Sequence, residues 1–176
     1  MSPFALVYGT LSPGTTDQLR HAATQEALRW WLIANGNTAV LADTEVTEQM
    51  VRSRNLILYG SPAENSVMRK IAEALPIRLR HGRICLDRYD LGDSLGTVFV
   101  FPNPLNTQRL VLVRMGTDSV STRLAVSWNI IGSATGTPDF IVFDHSVTNR
   151  AWAGMRAAGF FDTNWRFDPL ATYLRH

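Results

Sequence analysis

Gly92-Asp93-Ser94-Leu95-Gly96 has the spacing of a G-x-S-x-G nucleophile elbow, and its first four residues also read as the G-D-S-L of a second esterase pattern. An elbow works because a strand delivers the serine to a strained turn. The helix that follows lends a backbone N–H to the oxyanion hole. Ser94 stands in the opposite order, with polar Asp87-Arg88-Tyr89-Asp90 before it and the strand-like Thr97-Val98-Phe99-Val100-Phe101 after it. The G-D-S-L pattern places its serine after the first strand and an Asp-x-x-His near the C-terminus, where this chain has none. Ser94 therefore reads first as a turn residue before a strand.

Ser61 is better placed for chemistry. Asn55-Leu56-Ile57-Leu58-Tyr59-Gly60-Ser61-Pro62 repeats the pattern of Phe4-Ala5-Leu6-Val7-Tyr8-Gly9-Thr10. Each is an apolar strand, Tyr-Gly, a hydroxyl residue and a proline-bearing loop before a helix. Ligands of open α/β sheets collect beyond the carboxyl ends of strands. Tyr8, Gly9, Thr10, Tyr59, Gly60 and Ser61 are thus expected to line one crevice, with Asp43 after the second strand and Asn103 from a later loop. Neither glycine belongs to a G-x-G-x-x-G or phosphate loop, so the plainer reading is that Gly and Pro end the strands. An acidic residue at Asp43 is more often a loop cap.

Asp144 and His145 follow the last apolar strand, so a Ser61, Asp144, His145 set is conceivable. Adjacent Asp and His side chains rarely face each other as a triad requires. His21, His81 and His176 share no metal-ligand spacing with another His or with Cys85, so no metal or other cofactor is expected. Trp30 and Trp31 are adjacent on a helix and point about 100° apart. One is expected in the core, the other at an edge or a partner surface.

The positioning elements come from periodicity. Residues 17–35 carry Ala22, Ala23, Ala27, Leu28, Trp31 and Leu32 at helical spacing, with Thr15 and Gln18 as a capping box and Gly36 at the C-cap. Strands at 4–8, 38–42 and 55–59 alternate with helices at 48–52 and 66–75. Strand, loop and helix in repetition predict a parallel sheet with crossovers. A hairpin at 77–86 turns at His81-Gly82. Strands at 97–101 and 110–115 are expected antiparallel, because the loop between them is too short for a crossover. A helix at 121–131 and a strand at 140–143 complete the core. Residues 144–176 are expected to wrap an edge.

The expected fold is a single α/β domain over 1–176, a three-layer Rossmann- or flavodoxin-like mixed sheet. Its N-terminal half is parallel and its second half is built from antiparallel hairpins. With 45% hydrophobic and 18% charged residues the composition is that of a globular domain. A net charge of +2 without a Lys/Arg run gives no sign of nucleic acid. No apolar run approaches a membrane span. Cys85 stands alone, which fits a reducing compartment. No signal peptide is visible, so the cytoplasm is the default location, with export of a larger parent protein left open.

Six stretches together carry a resemblance: "PFALVYGT", "DTEVT", "NLILYGSPAENS", "FPNPLNTQRLVLV", "PDFIVFD" and "AGFFDTNW". They resemble an accessory domain, of C-terminal type, appended to bacterial prolyl-oligopeptidase-like and related α/β-hydrolase esterase proteins. "NLILYGSP" followed by "PNPLN" is the most specific part. The resemblance implies a non-catalytic role, with the hydrolase's own serine, acid and histidine in another segment. The expected partner is a hydrolase catalytic domain, in cis or in trans, or a second copy of the chain. The alternatives are a small serine hydrolase using Ser61 or Ser94, and a small-ligand-binding domain at the strand ends.

Overall fold

The structure, a computed structural model, describes residues 3–128 and 137–175. In chain order the strands are β1 (Phe4–Tyr8), β2 (Ala39–Ala42), β3 (Asn55–Tyr59), β4 (Ile77–Arg80), β5 (Arg83–Leu86), β6 (Tyr89–Gly92), β7 (Leu95–Asn103), β8 (Asn106–Gly116), β9 (Phe140–Asp144), β10 (Met155–Phe161) and β11 (Phe167–Leu174). The α-helices are α1 (Pro13–Ala34), α2 (Glu48–Ser53), α3 (Ser66–Ile71), α4 (Ser119–Ser127) and α5 (Val147–Arg150). Eight strands form the main sheet in the order β11-β10-β9-β7-β8-β3-β1-β2, and β4, β5 and β6 form a second sheet. β2, β1, β3 and β8 run parallel. Every pairing from β8 through β7, β9 and β10 to β11 is antiparallel.

Side chains alternate between the two faces, as strand geometry requires. Leu6 and Tyr59 point to one face and pack with Leu19 and Ala23 of α1 and Val126 of α4. Val98, Ile141 and Phe143 meet Ala125 of α4 on that same side. Val7, Leu58, Phe99, Val113 and Val142 point the other way. They share a core with Val67, Met68 and Ile71 of α3 and with Ile77, Ile84 and Leu86 of the small sheet.

That second face overturns the expected three-layer Rossmann or flavodoxin arrangement. A doubly wound fold covers both faces with crossover helices. Here the chain between β3 and β7 runs through a short helix and then a three-stranded meander, and the meander covers much of the second face. Physically either cover suffices, since a sheet needs only an apolar surface laid against it. Residues 77–92 supply one because Ile77, Leu79, Ile84 and Leu86 alternate with polar neighbours. Tyr89 packs edge-on against Phe167 of β11, with ring centroids 5.6 Å apart.

Several boundaries also shift. α1 starts at Pro13, whose fixed φ and missing N–H suit a first helical turn. The Thr15 and Thr16 hydroxyls donate back to the Ser12 carbonyl instead of forming a capping box. Only Pro104 and Leu105 remain as the turn between β7 and β8, because Pro102 and Asn103 continue the strand through a register shift. The expected end of α4 at 131 lies outside the described residues. The segment expected to wrap an edge instead supplies β10 and β11, which extend the main sheet.

Candidate functional site

The parallel strands bring Tyr8, Gly9, Thr10, Asp43, Tyr59, Gly60 and Ser61 to one end of the sheet. Asn103 is at the opposite end, in the β7–β8 hairpin, where its Oδ1 accepts from Leu105 N–H. What occupies the expected crevice is the chain itself. Asn65, fully buried, donates from Nδ2 to the carbonyls of Val7 and Tyr59 at 3.2 and 3.1 Å. Its Oδ1 accepts from the N–H groups of Val67 and Met68 and so caps α3. Glu64 Oε2 accepts from Ser61 N–H at 2.8 Å, and the Glu64 carbonyl accepts from Leu11 N–H. A Cβ on Gly9 would collide with that same carbonyl, so Gly9 serves the packing of loop on loop.

Asp43 is buried in this network. Its two oxygens accept from the Thr10 hydroxyl at 2.6 Å and from Ser66 N–H at 2.5 Å. Burial opposes its ionisation, but these hydrogen bonds outweigh that and hold the carboxyl below the usual range. Its role here is to fasten β1 and β2 to the start of α3.

The serine candidates do not assemble with the acid and base. Ser61 follows β3 and Asp144 ends β9, three strand spacings away across the sheet, or about 14 Å. Asp144 accepts from the backbone and hydroxyl of Ser146 and from Arg156 Nε at 3.1 Å. Burial again opposes its charge, and these donors hold its pKa low. Ser94 sits in the β6–β7 turn with φ of 55°, at the end of the sheet that also carries His145. No hydrogen bond joins the two among the described residues. The His145 imidazole instead meets Ser121 Oγ at 3.1 Å, and Ser121 donates to Asp118 Oδ2 at 3.0 Å.

Sequence reasoning did not find this Asp118, Ser121, His145 chain, because Ser121 lies in the first turn of α4 and resembles any helix-start serine. Its order is serine between acid and imidazole, whereas a triad needs the imidazole between the other two. Ser121 is also fully buried. Asp118 caps α4 by accepting from Val120 and Ser121 N–H. The set is a helix cap extended to β9. No group of three or more His, Cys, Asp or Glu suited to a metal occurs among the described residues.

A buried charge pair lies between the sheet and the two long helices. Arg114 of β8 is fully buried, and its Nη2 stands 3.4 Å from Glu26 Oε2 of α1, whose side chain is 5% exposed. Arg114 Nη1 donates to the Val126 carbonyl at 2.8 Å, and the guanidinium carbon lies 5.2 Å from the centre of the Tyr59 ring. The satisfaction is incomplete. Glu26 Oε1, Tyr59 Oη, Gln18 Nε2 and Arg114 Nε and Nη2 have no hydrogen-bond partner among the described residues. Burial raises the pKa of Glu26 despite Arg114 beside it, and burial raises that of Tyr59 as well.

The remaining feature is apolar. On the α1/α4 side the helices cover β1, β3, β8 and β7, and beyond α4 an open groove lies between α4, α5, β10 and β11. One hollow of about 390 Å³ lies among Leu124, Trp128, Val147, Trp152 and Met155. A second, of about 320 Å³, lies among Trp152, Met155, Ala158 and Tyr173. Trp152 is 74% exposed at their junction, and Phe160 and Tyr173 are exposed beside it. The α1 end carries a smaller stripe of exposed Leu28, Trp31 and Leu32 at helical spacing. Trp30 instead packs edge-on against Phe4, with centroids 5.3 Å apart.

Fold and site together describe a mixed-sheet α/β domain whose polar residues at the strand ends are turned inward and which leaves Trp31, Trp152, Phe160 and Tyr173 exposed. No family model matches the chain. It is 30% identical over 115 residues to an "Uncharacterized secreted protein" of Arthroderma benhamiae, a match that covers 65% of this chain and 12% of that protein.

Proposed function

We propose that this chain is a non-catalytic interaction domain that docks, in cis or in trans, on the catalytic domain of an esterase- or peptidase-type hydrolase. The observation that carries the docking role is the apolar groove around Trp152. An exposed tryptophan flanked by apolar hollows is the composition of an interface hot spot. The match to a small fraction of a much longer relative supports a domain that works beside other domains. That relative is described as secreted, which accords with an exported parent. The choice of a hydrolase as partner rests on the sequence resemblance.

The test is co-elution of the chain with a prolyl-oligopeptidase-like catalytic domain lacking its accessory segment. Binding that weakens at least tenfold in Trp152→Ala supports the reading. No binding, on a chain with a cooperative melt, overturns it. A fluorophosphonate adduct on Ser61 or Ser94 would favour the small-hydrolase alternative instead.

A further inference from the structure

The last turn of α1 projects past the sheet. The helix runs back along β1 from Leu19, which lies beside Gly60, to Trp30, whose ring meets Phe4 at the start of β1. Trp31, Leu32, Ile33 and Ala34 lie beyond that contact, and all four are exposed. Leu32 and Ile33 are each 66% exposed. A Cβ on Gly36 would collide with the Trp30 ring, so the returning chain lies on Trp30 and leaves Trp31 uncovered. Consecutive helix residues point about 100° apart, so this turn is apolar on every side. An exposed run of four apolar residues is unfavourable in water and marks a surface that something covers.

The unpaired charges at this end are of one sign. Arg29 is exposed just before Trp30. Phe4 pairs with Asn55 of β3, and Asn55 Oδ1 accepts from Leu110 N–H of β8 at 2.9 Å. Arg54 and Arg109 precede those two residues and so stand at the same end of the sheet. None of the three arginines makes a salt bridge among the described residues. The acids of α1 and α2 are engaged, Asp17 with Arg20, Glu48 with Arg52, and Glu26 in the interior with Arg114. An apolar tip with arginines behind it complements an anionic bilayer. Tryptophan favours the boundary between headgroups and acyl chains, and an arginine stem lies along apolar surface while its head reaches a phosphate. A protein partner fits less well, because a standard protein interface draws on about 20–30 residues a side. We propose that the last turn of α1 is a membrane anchor, which sets Trp31, Leu32 and Ile33 into the headgroup–acyl boundary and rests Arg29, Arg54 and Arg109 on anionic headgroups. The tip lies at the β1–β2 side of the sheet and the Trp152 groove at the β10–β11 side, so the anchor does not depend on a hydrolase partner.

The test is co-sedimentation of the 176-residue chain with vesicles of phosphatidylcholine, alone and mixed with phosphatidylglycerol. Binding to the mixed vesicles is expected, about tenfold or more above binding to the neutral ones, and it should weaken as salt screens the arginines. Trp31→Ser and Leu32→Ser change exposed side chains, so the melt should stay where it is while binding falls roughly tenfold in each. Arg54→Gln and Arg109→Gln are each expected to weaken binding to the anionic vesicles about fivefold and to leave neutral vesicles unaffected. The proposal is overturned if the folded chain ignores anionic vesicles, if neutral vesicles bind it equally well, or if neither tip variant alters binding. A chain that ignores vesicles but forms a dimer lost in Leu32→Ser would give the tip to a second copy and overturn it as well.

Discussion

At the carboxyl ends of β1, β2 and β3, Asn65, Asp43 and Glu64 are spent on partners within the chain. On β10 and β11 and the turn before them, Trp152, Phe160, Leu170 and Tyr173 are exposed. Both regions sit where an α/β sheet could bind something, yet they answer in opposite ways. A polar crevice whose donors and acceptors satisfy one another has little left to offer a ligand and contributes stability instead. An apolar groove gains only when something covers it. The contrast teaches that a strand-end position says where a site could lie, whereas unspent bonding capacity says whether one does.

The largest loss of stability is expected at the buried pair. Arg114→Met leaves the Glu26 carboxylate in the interior without its counter-ion and is expected to cost about 3–5 kcal/mol in urea unfolding. The double variant Arg114→Met, Glu26→Met removes both charges and should recover much of that loss. A single-variant cost below about 1 kcal/mol would mean the pair is far better solvated than its burial suggests. Asn65→Ala ranks next. It deprives two strand carbonyls and two helix N–H groups of partners at once, and roughly 3 kcal/mol is expected from losses of about 1–3 kcal/mol for each unsatisfied buried group, discounted for relaxation.

How much of this was legible in the sequence differs between the two regions for physical reasons. The Tyr-Gly-hydroxyl repeat located the strand ends, because apolar runs closed by Gly and Pro are local signals. It did not show that the second loop folds over the first, since the Asn65 bonds to Val7 span 58 positions. The hairpin at 77–86 was readable from its turn, but nothing in an alternating pattern says which face of which sheet it will cover. That choice is tertiary, and it decided against the Rossmann expectation. Residues 155–161, Met-Arg-Ala-Ala-Gly-Phe-Phe, lack a clean two-residue alternation, so the turn residues Asp162-Thr163-Asn164 were not seen to join two strands, and the sheet's antiparallel edge and open face went unread. Trp30 and Trp31 point apart as helix geometry requires, whereas Trp152 gave no periodic cue. Arg114 in Leu110-Val111-Leu112-Val113-Arg114-Met115, a charge in an apolar strand, is the signal that could have revealed the inner network, and it was passed over.

The closed strand-end network also shapes the acid limb of the stability curve. Asp43 has a folded-state pKa below its unfolded value of about 3.9. Its contribution is therefore fully present above about pH 4 and is lost as pH falls through the lower folded value. Unfolding free energy measured from pH 5 to pH 2 should fall less steeply in Asp43→Asn than in the unaltered chain. The amide cannot gain that proton, although the variant begins less stable by about 1–2 kcal/mol through the weaker hydrogen bonds to Thr10 and Ser66. Equal slopes would show that other carboxylates, Asp118 and Asp144 among them, dominate the limb.

The smallest effect on stability is expected where the effect on binding is largest. Trp152 is 74% exposed, so Trp152→Ser removes little that folding had buried. Surface substitutions of this kind usually lie within about 0.5 kcal/mol of zero. The same change strips the junction of the two hollows of its aromatic anchor, and truncating such an anchor commonly costs 2 kcal/mol or more of binding, or roughly thirtyfold in affinity. Asn65→Ala should show the reverse, a large loss of stability and, in the fraction that remains folded, unchanged docking. Measuring both variants by urea unfolding and by co-elution separates the halves of the sheet by function. If Trp152→Ser instead unfolded the domain, the groove would belong to the core, and the open half would be no different in kind from the closed one.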